Sequence, residues 1–222
     1  MQVHPDLVFE CQLWKSGLKT IAGLDEAGRG ALAGPVAVGA VILPNDPILL
    51  LGTRRSRGRS MTLPDLRGVL SAVRDSKQMT ALQRECTAPR IKQFALAWGV
   101  GFASSDEIDS EGIVRATRLA ALRALQELPV FPDYLLTDFR LELPQLDISQ
   151  TALVKGDVRC LSIAAASILA KTARDALMLE MDAQVPGYGL GKHKGYGTLA
   201  HRQAMLSLGY SLIHRKSFSI KL

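Results

Sequence analysis

The 222 residues are 47% hydrophobic and 22% charged, ordinary globular usage that excludes a disordered chain, and the 19 Gly and 10 Pro follow no fibrous period. The longest nearly apolar stretches, residues 34–43 and 161–170, reach about half a membrane span, and no secretory leader is visible at the start. The net charge of +6 permits a polyanionic partner, but the segment 53–68, with Arg54, Arg55, Arg57, Arg59 and Arg67 against Asp65, carries most of it. Cys11, Cys86 and Cys160 lie far apart with no C-x-x-C pattern, which argues against a disulfide scaffold or zinc finger and for a reducing, cytoplasmic setting.

Residues 1–20 read as a mixed lead-in. Residues 21–25 and 35–43 are rich in Val, Ile and Ala and read as short buried strands, joined through the glycine-rich stretch 26–34. Residues 45–68 show no sustained period and read as an exposed basic loop. Thr80 and Gln83 can form a capping box for a helix that Pro89 should end or kink. Residues 94–103 read as a strand. Ser104 and Glu107 form a second capping-box candidate, for a helix reaching about Leu128 with Ile113, Ala116, Ala120, Ala121, Ala124 and Leu128 as its apolar stripe. Two more short strands are expected at 134–138 and 151–155. A long helix follows at 163–184, then a glycine-rich loop at 186–197 and a helix from Thr198 to about Leu208, stopped by Gly209. Strands both hairpin-like and separated by helices predict an α/β fold with a mixed sheet flanked by helices and a helical C-terminal part.

Three strand ends deliver acids beside glycine-containing backbone. Asp25 and Glu26 close the first strand, Asp138 closes the run 134–137, and Asp157 follows Lys155-Gly156. Strand ends are where ligands bind in α/β sheets. Gathered carboxylates repel and need a counter-charge, which hard Mg²⁺ or Mn²⁺ supplies through oxygen ligands. Two such ions about 4 Å apart can activate water and stabilise a leaving oxygen in phosphodiester hydrolysis. Aspartate at a strand end is also ordinary turn chemistry, but the adjacent pair Asp25-Glu26 inside an apolar stretch is harder to explain that way.

The segment Gly23-Leu24-Asp25-Glu26-Ala27-Gly28-Arg29-Gly30-Ala31-Leu32-Ala33-Gly34-Pro35-Val36 resembles the opening motif of the type 2 ribonucleases H, the ribonuclease HII family. Further segments match in the same order: Asp75-Ser76-Lys77; Lys155-Gly156-Asp157; Ile163 to Lys171 with Arg174-Asp175; His193-Lys194-Gly195-Tyr196-Gly197-Thr198; and His214-Arg215-x-Ser217-Phe218. Together they span nearly the whole chain. The resemblance implies a ribonuclease H-like fold and cleavage of RNA in RNA–DNA hybrids, including incision beside a single ribonucleotide embedded in duplex DNA, leaving a 5′-phosphate and a 3′-hydroxyl. It implies Asp25, Glu26, Asp138 and Asp157 as catalytic metal ligands, with Asp25 bridging two Mn²⁺ or Mg²⁺ ions. It implies that Gly28, Arg29 and Gly30 read the 2′-hydroxyl, the group that separates RNA from DNA, that Tyr196 senses the junction, and that Ser76, Lys77 and Lys194 join them in binding substrate. The organisation it implies is a lead-in (1–20), a catalytic core (21–184) carrying a basic insertion (45–68), and a C-terminal substrate-binding loop and helix (185–222), acting as a monomer away from membranes.

The sequence departs from the family pattern at Ala31, at Gln78 and at Phe139-Arg140 after the third acid, where a bulky ring beside the site would crowd it. Other residues admit two readings. Lys171 can bind phosphate or pair with Asp175 one turn on; His193 can bind phosphate; His214 and Arg215 can contact DNA or anchor the tail. Glu180 and Asp182 read as a solvated helix face, and Trp14 and Trp98 as core. The segment 189–193 lacks the spacing of a P-loop. Two rival functions share the core: a type 3 ribonuclease H, for which twenty residues before Ile21 leave no room for the usual N-terminal domain, and a non-catalytic hybrid-binding protein, disfavoured by the presence of all four acids. A plain phosphatase is a third.

Overall fold

A computed structural model describes residues 4–45, 72–139 and 141–219. The arginine-rich stretch 53–68 and Arg140 lie outside the described residues. Among the described residues one sheet carries five strands in the order β3-β2-β1-β4-β5. These are β1 (Ile21–Ala27), β2 (Val36–Ile42), β3 (Ala97–Ala103), β4 (Tyr134–Asp138) and β5 (Gln150–Leu153). The first three form an antiparallel meander, whereas β4 and β5 run parallel to β1. The helices among the described residues are α1 (Val8–Lys15), α2 (Ala81–Phe94), α3 (Ser105–Glu111), α4 (Ile113–Gln126), α5 (Leu161–Gln184), α6 (Leu190–His193) and α7 (Leu199–Leu208).

Alternation along the strands separates two cores. Leu24, Val38, Ala40 and Leu135 face α4, whose Ala116, Ala120, Ala121 and Ala124 form the stripe expected from the sequence. Val41 on the other face packs against Ala165, Ala166 and Leu169 of α5. Glycines set how closely the helices approach. A side chain at Gly23 would meet the α5 backbone at Ser162 at 2.3 Å, and one at Gly39 would meet the Ala166 carbonyl at 2.3 Å. Helix α5 is therefore seated directly on β1 and β2, over the strand that ends in Asp25 and Glu26.

Several local expectations change in three dimensions. Thr80 and Gln83 do form a reciprocal capping box, but α2 continues through Pro89 to Phe94. The carbonyl that Pro89 leaves without a donor belongs to Glu85, and both residues are on the exposed face, where water serves instead. The Ser104–Glu107 box starts α3 as expected, yet no single helix reaches Leu128: Gly112, at φ +79° and ψ 155°, breaks the run and α4 restarts at Ile113. The loop 186–197 contains the short helix α6, started by Asp182, whose carboxylate accepts from the Leu190 N–H at 2.7 Å, so Asp182 is not merely solvated. Trp98 is not core: it sits on the edge strand β3, 36% exposed, with the Lys92 ammonium 4.2 Å from its ring centroid. The lead-in forms α1, held by Glu10, which is buried against the first turn of α5 and accepts from the Ser162 N–H at 2.8 Å.

Candidate active site

The parallel register of β1 and β4 pairs Leu24 with Thr137, so Asp25 and Asp138 stand one residue further along neighbouring strands, on the face covered by α5. Asp138 in turn pairs with Leu153, the last residue of β5. The chain then turns through Lys155, held at φ +55°, into a short 3₁₀ turn (Gly156–Val158) that carries Asp157 and leads into α5. All four acids therefore arrive at the carboxyl end of the parallel strands.

Asp25 is 2% exposed. Its Oδ1 accepts from the Glu26 N–H at 2.8 Å, while Asp25 Oδ2 and Glu26 Oε2 are buried without a hydrogen-bond partner. Burial, then the negative charges of Glu26, Asp138 and Asp157, push the Asp25 carboxyl well above its ordinary pKa, against a smaller opposing effect of the Ser167 hydroxyl. Burial also raises Glu26, partly offset by the Arg29 guanidinium, whose Nη1 lies 3.8 Å from Glu26 Oε1. Asp138 is raised by burial and by the Asp157 charge, while its Oδ1 accepts from the Gly156 N–H at 2.7 Å. The four carboxylates thus share one field. As they stand, no three His, Cys, Asp or Glu side chains among the described residues converge closely enough to hold an ion. Asp138 is turned onto Gly156, and Asp157 Oδ2 is held by the Lys77 ammonium at 3.0 Å. Burial alone would lower the Lys77 pKa, but the hydrogen bond and charge of Asp157, with the charges of Asp25 and Asp75, outweigh it and raise it.

Lys77 lies on the 3₁₀ turn Ser76–Gln78, which Asp75 caps by accepting from the Lys77 N–H. Ser76 is buried, and its hydroxyl is 2.7 Å from that of Ser167 on α5, which ties the turn to the site. Phe139 is 49% exposed, so its ring does not fill the acidic cluster.

Beside the acids lie two loops. Gly28 has φ +86°, and a Cβ there would come within 1.9 Å of Arg174 Nε; one at Gly30 would meet open space. The carbonyls of this loop are held from beneath by two guanidiniums. Arg174 donates to Pro35 O at 2.8 Å, Ala33 O at 3.1 Å and Lys194 O at 2.9 Å. Arg215 donates to Gly34 O and Arg29 O, both at 2.9 Å. Both are fully buried, so Arg215, like the buried His214, anchors the tail. The Tyr196 ring faces Arg174 and Lys171, at 5.4 and 5.2 Å, so Arg174 lies between the Gly28 loop and the tyrosine. Lys171 also pairs with Asp175 at 2.6 Å, and Arg84 pairs with the same carboxylate at 3.0 Å. Lys194, at φ +53°, turns its ammonium onto the Gly191 carbonyl, and His193 donates to Tyr188 O.

Sequence reasoning singled out the acids and glycines and left Arg215 between a DNA contact and a tail anchor, but gave Arg174, Ser167 and His201 no role in this site. One signal was present: Ile163, Ser167, Ala170, Arg174 and Met178 recur at helical spacing, which sets an arginine on the buried stripe of α5.

A five-stranded mixed sheet with helices on both faces and acids at the carboxyl ends of its parallel strands defines a ribonuclease H-like protein. A family profile described as Ribonuclease HII matches residues 66–221. The chain is 45% identical over 218 residues to the ribonuclease HII of Dehalococcoides mccartyi, covering 98% of this chain and 94% of that protein. It is 43% identical over 210 residues to that of Thermus thermophilus, covering 95% and 91%. The fold is similar to that of Archaeoglobus fulgidus RNase HII in its complex with PCNA (TM-score 0.69, 22% identity, 91% of this chain and 96% of that one). It is also similar to Bst-RNase HIII with Mn²⁺ (TM-score 0.61, 17% identity, 91% and 68%). The chain belongs to the ribonuclease HII family. It is therefore a ribonuclease H, an endonuclease acting on RNA–DNA hybrids. No helix among the described residues is long and apolar enough to cross a membrane.

Proposed function

We propose that this ribonuclease H is metal-dependent, and that besides the RNA strand of hybrids it incises 5′ of single ribonucleotides embedded in duplex DNA, leaving a 5′-phosphate and a 3′-hydroxyl. The observation that carries the metal reading is the pair of buried, unpartnered oxygens, Asp25 Oδ2 and Glu26 Oε2, inside a field of four carboxylates. Buried acceptors of this kind are costly unless a cation serves them, and an all-oxygen donor set suits Mg²⁺ or Mn²⁺. Asp25, Glu26, Asp138 and Asp157 would hold the ions, which when bound supply an activated water and neutralise charge on the leaving 3′-oxygen.

The protein's own residues do the rest. Lys77 holds Asp157 in place as a counter-charge and, once relieved of it, offers its ammonium to a substrate phosphate. Ser76 fixes the turn that carries Lys77. The open space over Gly30 lets backbone approach the sugar that bears the 2′-hydroxyl, while Arg29, with a carbonyl held by Arg215, presents its guanidinium beside Glu26. The Tyr196 ring stacks on the neighbouring deoxyribose from the other loop, and Lys194 shapes that loop. In this reading residues 185–222 form the substrate-binding part, attached to the core through Arg174 and Arg215.

The test is cleavage of a DNA duplex containing one ribonucleotide, with the cut mapped, in Mg²⁺, in Mn²⁺ and in chelator. The expected result is one cut 5′ of the ribonucleotide, dependent on metal. Cleavage of uniform hybrids alone, or equal rates in chelator, would overturn the finer reading.

A further inference from the structure

Three histidines meet behind the Tyr196 loop, away from the acidic cluster. The His193 ring stacks on His201 with centroids 4.3 Å apart, and His201 and His214 approach through their Nε2 atoms at 3.0 Å. His201 and His214 are buried. Their partners fix the proton positions. His214 Nδ1 lies 3.0 Å from the Ser211 N–H, which can only donate, and 2.7 Å from the Ser211 hydroxyl; a proton on Nδ1 would confront that N–H, so Nδ1 carries the lone pair, the hydroxyl donates to it as well, and the ring proton is on Nε2. That Nε2–H must donate to a bare His201 Nε2, which leaves the His201 proton on Nδ1. There, at 3.0 Å, stands the carbonyl of Tyr196, which can only accept. A directed chain thus runs from the Ser211 N–H through both rings to the Tyr196 carbonyl, which also accepts from the Thr198 N–H at 2.8 Å.

The same segments close on the substrate loop. Ala33 and His214 form an antiparallel bridge, the Gly34 N–H donates to Ile213 O, the Arg215 N–H donates to Leu32 O, and the Leu32 N–H donates to Gly195 O. A second proton on either ring would break the chain: on His214 Nδ1 it would confront the Ser211 N–H, and on His201 Nε2 it would confront the His214 N–H. Around the pair stand His193 from α6, Tyr188 from the loop before it and Tyr210 from the tail. The charged groups next to these segments include the cationic Lys194, Arg202, Arg174 and Arg215, and the anionic Asp109, which accepts from the Lys216 and Ser217 N–H groups of the tail. Burial, then neighbouring imidazoles, lower the His214 pKa to about 4, and burial lowers that of His201. The rings are therefore neutral near pH 7.

We infer that His201 and His214 are positioning residues for Tyr196: their one-way hydrogen-bond chain sets the Tyr196 carbonyl, and with it the plane in which the ring meets the substrate. The inference rests on the reading of Tyr196 as the junction-sensing residue. Neither imidazole is a general base here, because each lone pair and each proton is spent within the chain.

The experiment compares His214→Phe, which keeps the ring volume but loses the donor, with His214→Gln, whose side-chain amide can replace the Nε2–H. His214→Phe should reduce kcat/KM for a single-ribonucleotide duplex, relative to a uniform hybrid, by about tenfold, the worth of one hydrogen bond. His214→Gln should recover most of the ratio. In a Tyr196→Ala background, His214→Phe should change the ratio no further; an additional loss would show that it acts elsewhere and would overturn the inference. ¹⁵N NMR separates the inference from the reading beneath it. The wild type should show His201 protonated on Nδ1 and His214 on Nε2 at pH 7, and His214→Phe should shift the amide signals of Tyr196, Gly197 and Thr198. Opposite tautomers or unmoved amides would refute the positioning role, even if Tyr196 matters. Moved amides with a harmless Tyr196→Ala would instead remove the junction-sensing reading and leave the positioning standing. If His214→Phe does not fold, the wild-type tautomers and His214→Gln still decide.

Discussion

Arg174→Met offers the sharpest test of how the Gly28 and Tyr196 loops are held. The guanidinium is 0% exposed and donates to three carbonyls, those of Ala33, Pro35 and Lys194. Hydrogen bonds from a charged donor contribute about 1.5–3 kcal/mol each, and against them stands a cost of several kcal/mol for keeping the ion out of water. Methionine fills much of the volume but takes the donor from three carbonyls, two of them buried. The expected net loss is about 3–5 kcal/mol, the usual consequence of removing one side of a buried charged network. For a chain of this size that lowers Tm on the order of 10 °C. Because these bonds tie the Gly28 loop to the Tyr196 loop, cleavage at a lone ribonucleotide should fall more than stability alone explains, even well below the new Tm. Gly28→Ala supplies the complementary arm. Its Cβ would strike Arg174 Nε at 1.9 Å and Cδ at 2.4 Å, so it should be severe in the wild type. In the Arg174→Met background it should be milder, limited to a flexible side chain that can give way and the strain of φ +86°, about 1 kcal/mol or more. Calorimetry and single-turnover cleavage of all four proteins measure the coupling. An Arg174→Met protein within about 2 °C of wild type, far inside the expected drop for this size, with unchanged cleavage, or strictly additive effects of the two substitutions, would refute the account.

Asp25→Asn keeps the Oδ1 acceptor for Glu26 but removes a buried charge, so turnover should fall on the order of 10³-fold or more, while a filter-binding assay shows the duplex still held through Lys and Arg. Asp138→Asn can still accept from Gly156, which makes it a clean probe of the third acid: normal metal-dependent turnover in that variant would move the role elsewhere. Acid stability carries a sign. His214, near pKa 4 in the fold against about 6.5 unfolded, is neutral when folded and takes up a proton on unfolding. Its contribution is complete above about pH 6.5 and declines by on the order of 3 kcal/mol as pH falls to 4. The stability advantage of wild type over His214→Phe should shrink over that interval in denaturant titrations. The raised carboxyls of Asp25, Glu26 and Asp138 act in the opposite sense in both proteins and cancel. Replacing Arg54, Arg55, Arg57 and Arg59 with Ser should flatten the salt dependence of duplex binding by roughly 0.9 log–log units for each phosphate left unneutralised; an unchanged slope would show that those arginines neutralise no phosphate.

What the sequence by itself determined is whatever depends on near neighbours in the chain. Both capping boxes, the span of β4 at Tyr134–Asp138 and the stop at Gly209 were legible because each rests on residues a few positions apart. The order of motifs carried the family for the same reason. Tertiary structure decided the rest. Pro89 stays helical because its orphaned carbonyl lies on the solvent side. Gly112 divides α3 from α4 because its backbone takes a conformation open to glycine. Gly23 and Gly39 matter because α5 lies on them, and Gly28 because Arg174 does. The same holds at the candidate site: nothing near Asp138 in sequence announces the Gly156 N–H, and nothing near Tyr196 announces His214. Lone pairs, donors and buried charges act over about 3 Å, and only the folded chain brings residues many positions apart to that distance.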